Sequence, residues 1–423
     1  MKLCRTELQQ GVVLNTVTTD RFKTAFFTVN LFVPLQKETA SAYSLLTDVL
    51  MRGTESYPTM QALNQKQDTL YSLGLGAFVQ KKGEAQVVTF ELTAIDDSFA
   101  FDGMEILAEG MKLMQELIFR PYTEQGVFKN EYVEQEKKNL CDDIRGRINN
   151  KTAYARTRCV EIMCEGEAYA VDHGGDLEDV NALTPEALWK AYKSLLASAK
   201  IEMFYVGRKG EEEVASLCKS YLQFAPREAS FPKTILGSLP KESRTVTEQM
   251  RISQCKMTLG FRTEYALQEG NFPAMALFNE IFGGSPNSRL FMNVREKQSL
   301  CYYCSSFPDG LKGLLMVVSG IEQKNKQKTL DAVLEQLEDL KQGHIDPLEL
   351  ENARLSLRNG YREITDSPAA IASWYLGRIS TGRYDAPEDA ITAMEQVTAE
   401  DVVKVANSIR LDTVYFLEGG ATA

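Results

Sequence analysis

Histidine is the scarcest chemistry-bearing residue in this chain, with only two among 423 residues, His173 and His344. Each stands in a turn-like context, Val-Asp-His-Gly-Gly and Gly-His-Ile-Asp-Pro, with no second histidine near it in sequence. Both read as surface-loop residues, and a metal site built on paired imidazoles is excluded. Basic charge is also in deficit: 47 Lys and Arg against 58 Asp and Glu leave a net charge of −11. That balance argues against nucleic acid or an anionic membrane surface as a main partner. No apolar run approaches the ~20 residues a membrane helix needs. The opening MKLCRTELQQGVVLNTV has no apolar core of signal-peptide length, so a cytoplasmic location is expected. Eight cysteines are spread through the length of the chain, as suits reduced thiols. The one CxxC, Cys301-Tyr-Tyr-Cys304, supplies half of a four-thiolate zinc site, and no second exists. It lies within an apparent strand rather than at a helix N-terminus, a context that does not favour a thiolate.

Core-forming material is ample: 44% of residues are hydrophobic and 25% charged, ordinary for a globular protein. The length allows two or three domains. Early in the chain, Thr24–Pro34 is rich in β-formers. Helix-period apolar residues then run from Lys37 to Arg52, with Ala42, Leu45, Leu46, Val49 and Leu50 on one stripe and a stop at Gly53-Thr54. A strand hairpin follows at Ala77–Ala94, an amphipathic helix at Met104–Phe119, a long charged helix from Glu124 to Arg147, and another at Lys151–Cys164. Thr184-Pro185 opens a helix that leads to the strand Lys200–Val206. Residues 224–242 hold three prolines and no periodicity, and read as a linker. Beyond them the order recurs. LTPEALWKAY at Leu183 answers VTAEDVVKVA at Val397, and each is followed by a strand and a glycine. The expectation is an α+β fold of two tandem homologous units, each a mainly antiparallel sheet covered by helices: 1–223, a linker 224–242, and 243–423.

Within the second half, Ser288 to Tyr303 reads SRLFMNVREKQSLCYY. Leu290, Phe291 and Val294 recur at helical spacing, which places Arg295 near a helix end, and Ser299–Tyr303 reads as the start of a strand. Taken locally, Arg295 is a solvated cation and Tyr302 a half-buried strand residue. A junction of this kind also allows charge and phenol to point into one cleft.

Several stretches together resemble the insulinase-like (M16) metallopeptidase family, the inverzincins, over nearly the whole chain: Met51-Arg-Gly-Thr54, Ile118-Phe-Arg-Pro121, Leu183-Thr-Pro-Glu186, Ser288-Arg-Leu-Phe291, Val294-Arg-Glu-Lys297 with Leu300 and Tyr302, and Val397-Thr-Ala-Glu-Asp401. The resemblance implies paired homologous domains around a substrate chamber. It also places the family's HxxEH motif on Ser44, Thr47 and Asp48. A serine hydroxyl is a poor zinc ligand beside imidazole, and threonine cannot deprotonate a metal-bound water. The later glutamates of the motif fall on Glu136 and Asp143. Asp48 and Asp143 survive as oxygen ligands of a type suited to calcium or magnesium, and are expected to be solvated helix carboxylates.

Arg295 and Tyr302 match an Arg and a Tyr that active family members use to hold substrate carbonyls and the developing oxyanion. Lost metal with a retained pair resembles the zinc-less chain of bacterial M16 heterodimers, in a branch often labelled as associated with elongation factor P modification. This implies an HxxEH-containing homologue as partner, a peptide substrate, and zinc in the partner with no cofactor in this chain. The zinc-less subunit of the mitochondrial processing peptidase uses a long glycine-rich loop instead, where this chain has only Phe282-Gly-Gly-Ser285. The alternative is a structural or peptide-binding scaffold with no role in proteolysis.

Overall fold

The computed structural model describes residues 2–419, and they gather into two compact units. The first comprises Met1–Arg145, Val171–Lys233 and Thr365–Ser380, and the second Gly146–Ala170, Thr234–Ile364 and Thr381–Ala423.

The first unit is built on strands β1 (Cys4–Gln9), β2 (Val12–Thr18), β3 (Thr24–Pro34), β4 (Gly74–Lys82) and β5 (Ala85–Ile95). After a two-residue ladder of β6 (Thr123–Glu124) and β7 (Val127–Phe128), the last strand of its sheet is β8 (Lys200–Gly207). The sheet order is β1-β2-β8-β3-β5-β4, antiparallel throughout except for β2 beside β8. Strand β3 is central and buried on both faces, which is why TAFFTVNLFVP reads as a nearly unbroken apolar run. Its odd-numbered residues Ala25, Phe27, Val29, Leu31 and Val33 join the core under the helices Lys37–Leu50 and Ile106–Phe119. The opposite face carries a polar seam. Glu202, wholly buried, accepts from Asn15 (2.7 Å) and Arg5 (3.1 Å), and Asn30 bonds to Thr28 and to the Glu202 carbonyl.

The second unit repeats the plan. Strands β9 (Arg244–Met250), β10 (Cys255–Arg262), β11 (Cys301–Asp309), β12 (Leu314–Ile321) and β13 (Arg410–Gly419) lie in the order β11-β12-β10-β13-β9. Again a single parallel pair, β9 with β13, sits in an otherwise antiparallel sheet. Strands β9, β13, β10, β12 and β11 thus reproduce β2, β8, β3, β5 and β4. The matched helices before β8 and β13 both start on a threonine N-cap, Thr184 and Thr398.

The contiguous division at 1–223 and 243–423 needs correction, because two segments change sides. Helix Lys151–Met163, early in the chain, packs on β10 and β13 of the second unit. Its Ala155, Cys159 and Met163 form one cluster with Leu314, Met316, Tyr415 and Leu417. Gly260 makes room for it: a Cβ there would lie 2.6 Å from Met163 Sδ. In return, helix Pro368–Ile379 from late in the chain packs on β8 and β3 of the first unit. Each sheet buries its second face under a helix borrowed from the other half of the sequence. Residues 224–242 contain neither helix nor strand, and they are shared between the units, those up to Lys233 with the first and those from Thr234 with the second. The charged helix expected from Glu124 begins only at Asn130, because β6 and β7 occupy the preceding residues.

Candidate functional site

Helix Lys37–Leu50 carries the first three positions of the degenerate metal motif. Its apolar stripe faces the core, and the chain leaves it at Gly53, where a Cβ would meet backbone atoms of Tyr57 and Pro58 at 2.7 Å. Ser44 and Thr47 are buried, and the Thr47 hydroxyl turns back to donate to the Ser44 carbonyl at 2.8 Å. The Thr47 hydroxyl is therefore committed to its own helix. Asp48 is a different case. Burial, then the nearby Glu136 and Asp143 carboxylates, pushes its carboxyl up to about 6. Glu136 and Asp143 stand two turns apart on helix Asn130–Gly146, so the fold does bring the three carboxyls together. Of these only Asp143 is exposed, as expected of a solvated carboxylate, whereas the same expectation fails for Asp48, and Glu136 is buried.

The positive charge beside this cluster comes from the protein. Arg52, one turn beyond Asp48, donates to Glu136 at 3.0 Å and to Gln135 at 2.7 Å, and its guanidinium lies over the Tyr132 ring at 4.9 Å. Asn139 takes the second Glu136 oxygen at 2.8 Å. Arg52 was present in the Met51-Arg-Gly-Thr54 stretch, but nothing in its spacing says that it would fold onto Glu136. Among the described residues, no three His, Cys, Asp or Glu side chains are disposed to hold a metal ion.

The second unit arranges its polar groups differently. Residues Glu280–Gly284 and Leu290–Lys297 form two π-helical segments, a wide geometry that recurs at functional sites. The second packs against β11. Its end is capped by Gln298 N–H bonding to the Asn293 carbonyl and Leu300 N–H to that of Val294, with Ser299 held at φ 50° in the left-handed region that usually needs glycine. The Gly283-Gly284 pair serves packing: a Cβ on Gly283 would meet Ser306 Oγ at 2.5 Å and Ser306 N at 2.8 Å in β11. Those glycines seat a helix on a strand and do not form a mobile loop.

Two arginines on this segment have opposite fates. Arg289 is buried, chelated by both oxygens of Glu349 (2.7 Å each) and by Asp339 (2.6 Å), and also donates to the His344 carbonyl. It is a structural clamp. Arg295 lies over the Phe291 ring at 4.4 Å, and its nearest charge partner is the adjacent Glu296 at 3.6 Å. Two neighbouring tyrosines differ in the same way. Tyr303 shares a hydrogen bond with the Thr152 hydroxyl at 2.9 Å and lies against Gly320, where a Cβ would come within 2.5 Å of its ring. Tyr302 is 61% exposed and has no hydrogen-bond partner among the described residues. A β-bulge at Tyr302 separates the two rings, since Cys301 pairs with Ile321 and Tyr303 already with Gly320. Arg295 and Tyr302 therefore sit on two elements in contact; among the described residues neither side chain makes a hydrogen bond, and Arg295 has only the adjacent Glu296 as ion partner.

Comparison with known proteins places this geometry. A family model described as "Peptidase M16 inactive domain" matches residues 182–357. The "Probable inactive metalloprotease YmfF" of Bacillus subtilis (strain 168) is 32% identical over 97% of this chain and 96% of its own length. A crystal structure of a conserved protein from Enterococcus faecalis V583 superposes with a TM-score of 0.92 over 100% of both chains at 28% identity. The structure of a peptidase M16 inactive domain from Pseudomonas fluorescens shares the fold at a TM-score of 0.82 and 17% identity, over 100% of this chain and 99% of its own. A chain that matches an inactive metalloprotease over nearly its whole length, and has hydroxyls where a zinc peptidase needs imidazole and a carboxylate base, belongs to the M16 metallopeptidase family as one of its inactive members.

Proposed function

We propose that this chain is the zinc-less subunit of a two-chain M16 peptidase, and that it supplies Arg295 and Tyr302 to a composite site whose zinc and HxxEH motif belong to a homologous partner. The observation that carries the reading is the contrast within one segment: Arg289 is saturated by carboxylates, whereas neither Arg295 nor Tyr302 makes a side-chain hydrogen bond among the described residues. A guanidinium of this kind can hold the carbonyls of an extended peptide. A phenol can donate to the oxyanion that forms when a zinc-bound hydroxide attacks the scissile carbonyl. No chemistry step falls to the first unit, where Arg52 already neutralises Glu136. The substrate class is peptides or small unfolded proteins, and the reading places the pair in the cytoplasm. No helix of the described residues is long and apolar enough to cross a membrane.

The test is reconstitution with an HxxEH-bearing homologue from the same genome. Light scattering should find a one-to-one complex, metal analysis should find zinc that enters with the partner, and peptide cleavage should need both chains. If the two chains remain apart, or the partner cleaves equally well alone, this chain is a scaffold with no part in proteolysis.

A further inference from the structure

Cys301 and Cys304 are three residues apart in β11, a spacing that sends side chains of a regular strand to opposite faces. The bulge overturns that rule. Cys301 pairs with Ile321 and Cys304 with Ser319, so the partners are two residues apart on one face of β12 and the cysteines opposite share that face. Tyr302 is the extra residue between them. The two thiols shift each other's pKa in opposite directions, and the Ser319 hydroxyl, which donates to the Tyr303 carbonyl at 2.8 Å, lowers both. Cys301 is partly exposed and Cys304 buried, a division between an accessible thiol and one reached only through it.

We propose that Cys301 and Cys304 form a reversible dithiol–disulfide pair, and that closing the disulfide locks the bulge that carries Tyr302. The oxidant is a low-molecular-weight disulfide, RS–SR. The Cys301 thiolate attacks one of its sulfurs, an S–S bond forms to Cys301, and the first RS⁻ leaves. The Cys304 thiolate then attacks the Cys301 sulfur, the protein S–S bond forms, and the second RS⁻ leaves. The two protons of the cysteine thiols go to the two departing thiolates, so one disulfide is reduced as one is made. Charge favours this order of attack. Donation from the Cys304 thiol, with the Arg295 cation nearby, lowers the pKa of Cys301, while its bond to Cys301 and burial raise that of Cys304. Cys4, the only other partly exposed cysteine, is an internal control: its thiol donates to the Glu211 carboxylate at 2.6 Å, which raises its pKa and keeps the proton on sulfur.

Closure joins two thiols that the register places on one face of the strand, at a bonded separation of about 2 Å. The effect on peptide cleavage rests on the substrate-holding role of Tyr302, whereas the thiol chemistry does not. Reduced full-length chain is treated with excess glutathione disulfide near neutral pH, quenched in acid, and its cysteines mapped by mass. The expected result is loss of two free thiols, with the peptide spanning Cys301 and Cys304 lighter by two hydrogens, reversed by dithiothreitol. In Cys304→Ala, glutathione should remain attached to Cys301, and in Cys301→Ser neither position should react. Persistent glutathione on Cys301 of the unsubstituted chain overturns the proposal, as does modification of Cys4 with Cys301 untouched. Cleavage by the reconstituted pair is read separately: a closed disulfide that leaves it unchanged removes the link to Tyr302 and leaves the dithiol standing.

Discussion

Glu136, on a helix of the first unit, and Tyr302, in a strand of the second, are both polar, yet one is saturated and the other free. Both Glu136 oxygens are taken, by Arg52 and Asn139, and the side chain is buried. Tyr302 projects from a bulge with no partner among the described residues. A buried carboxylate without a cation is strongly unfavourable, and Arg52 supplies that cation from within the unit. An exposed phenol carries no such penalty and can remain unpartnered. The difference teaches that burial decides which polar group must be answered: a buried carboxylate needs its partners and an exposed phenol does not.

The largest expected effect sharpens the second half of that contrast. In the reconstituted pair, Tyr302→Phe should lower turnover about 10²–10³-fold while leaving the complex intact, because only an oxyanion donor is removed. Arg295→Ala should act mainly through KM, since a guanidinium contacts carbonyls already present in the ground state. Steady-state cleavage reads both, and unchanged turnover in Tyr302→Phe would mean that the free phenol is incidental.

The first half is tested by Arg52→Ala, which leaves Glu136 without its cation beside Asp48. With the two side chains 18% and 9% exposed, a loss of about 3 kcal/mol is expected in urea unfolding. A loss below about 1 kcal/mol would place this pair with ordinary surface ion pairs and break the comparison.

A smaller effect of opposite sign is expected at Asp48. Its carboxyl titrates at about 6 when folded against an ordinary 3.8, so between those values the folded state binds more protons and stability falls as pH rises. Two units at ~1.4 kcal/mol each set a ceiling near 3 kcal/mol, and partial exposure reduces this to about 1–2. Asp48→Asn should therefore stabilise the chain above pH 6 and have no effect below about pH 4. Thermal unfolding across that range decides it, and a pH-independent difference would assign the effect to packing instead of charge.

The smallest prediction compares the two repeated helix starts. The Thr184 hydroxyl accepts from Ala187 N–H, whereas the Thr398 hydroxyl accepts from Asp401 N–H while Asp401 in turn accepts from the Thr398 backbone. Thr398→Ala should cost about 1 kcal/mol and Thr184→Ala a few tenths less. Equal losses in parallel unfolding curves would show that the reciprocal bond adds nothing.

Much of this architecture was legible because periodicity and caps act locally. The apolar stripe of Lys37–Leu50, the β-run of Thr24–Pro34 and the Thr184 and Thr398 caps are each set by residues within a turn or two. The helix Pro368–Ile379 gave no comparable signal for its place, since its burial partners are strands from the other half of the chain. Asp48 was read as solvated for a related reason: side-chain spacing on one helix carries no information about the carboxylates of another.

What the sequence by itself determined is how little imidazole is at hand: with two histidines in the whole chain, and Ser44 and Thr47 where the family resemblance puts its motif, an inactive family member is what the residues imply. It also determined the duplication, because matched capped helices and strands are written in local pattern. Only the tertiary structure decided which helix covers which sheet, that Arg52 and not a solvated gap answers Glu136, and that one extra residue in β11 turns Cys301 and Cys304 to the same face. Each of those depends on contacts between segments tens to hundreds of residues apart or on a strand register, and neither distance nor register is encoded in the spacing of a single segment.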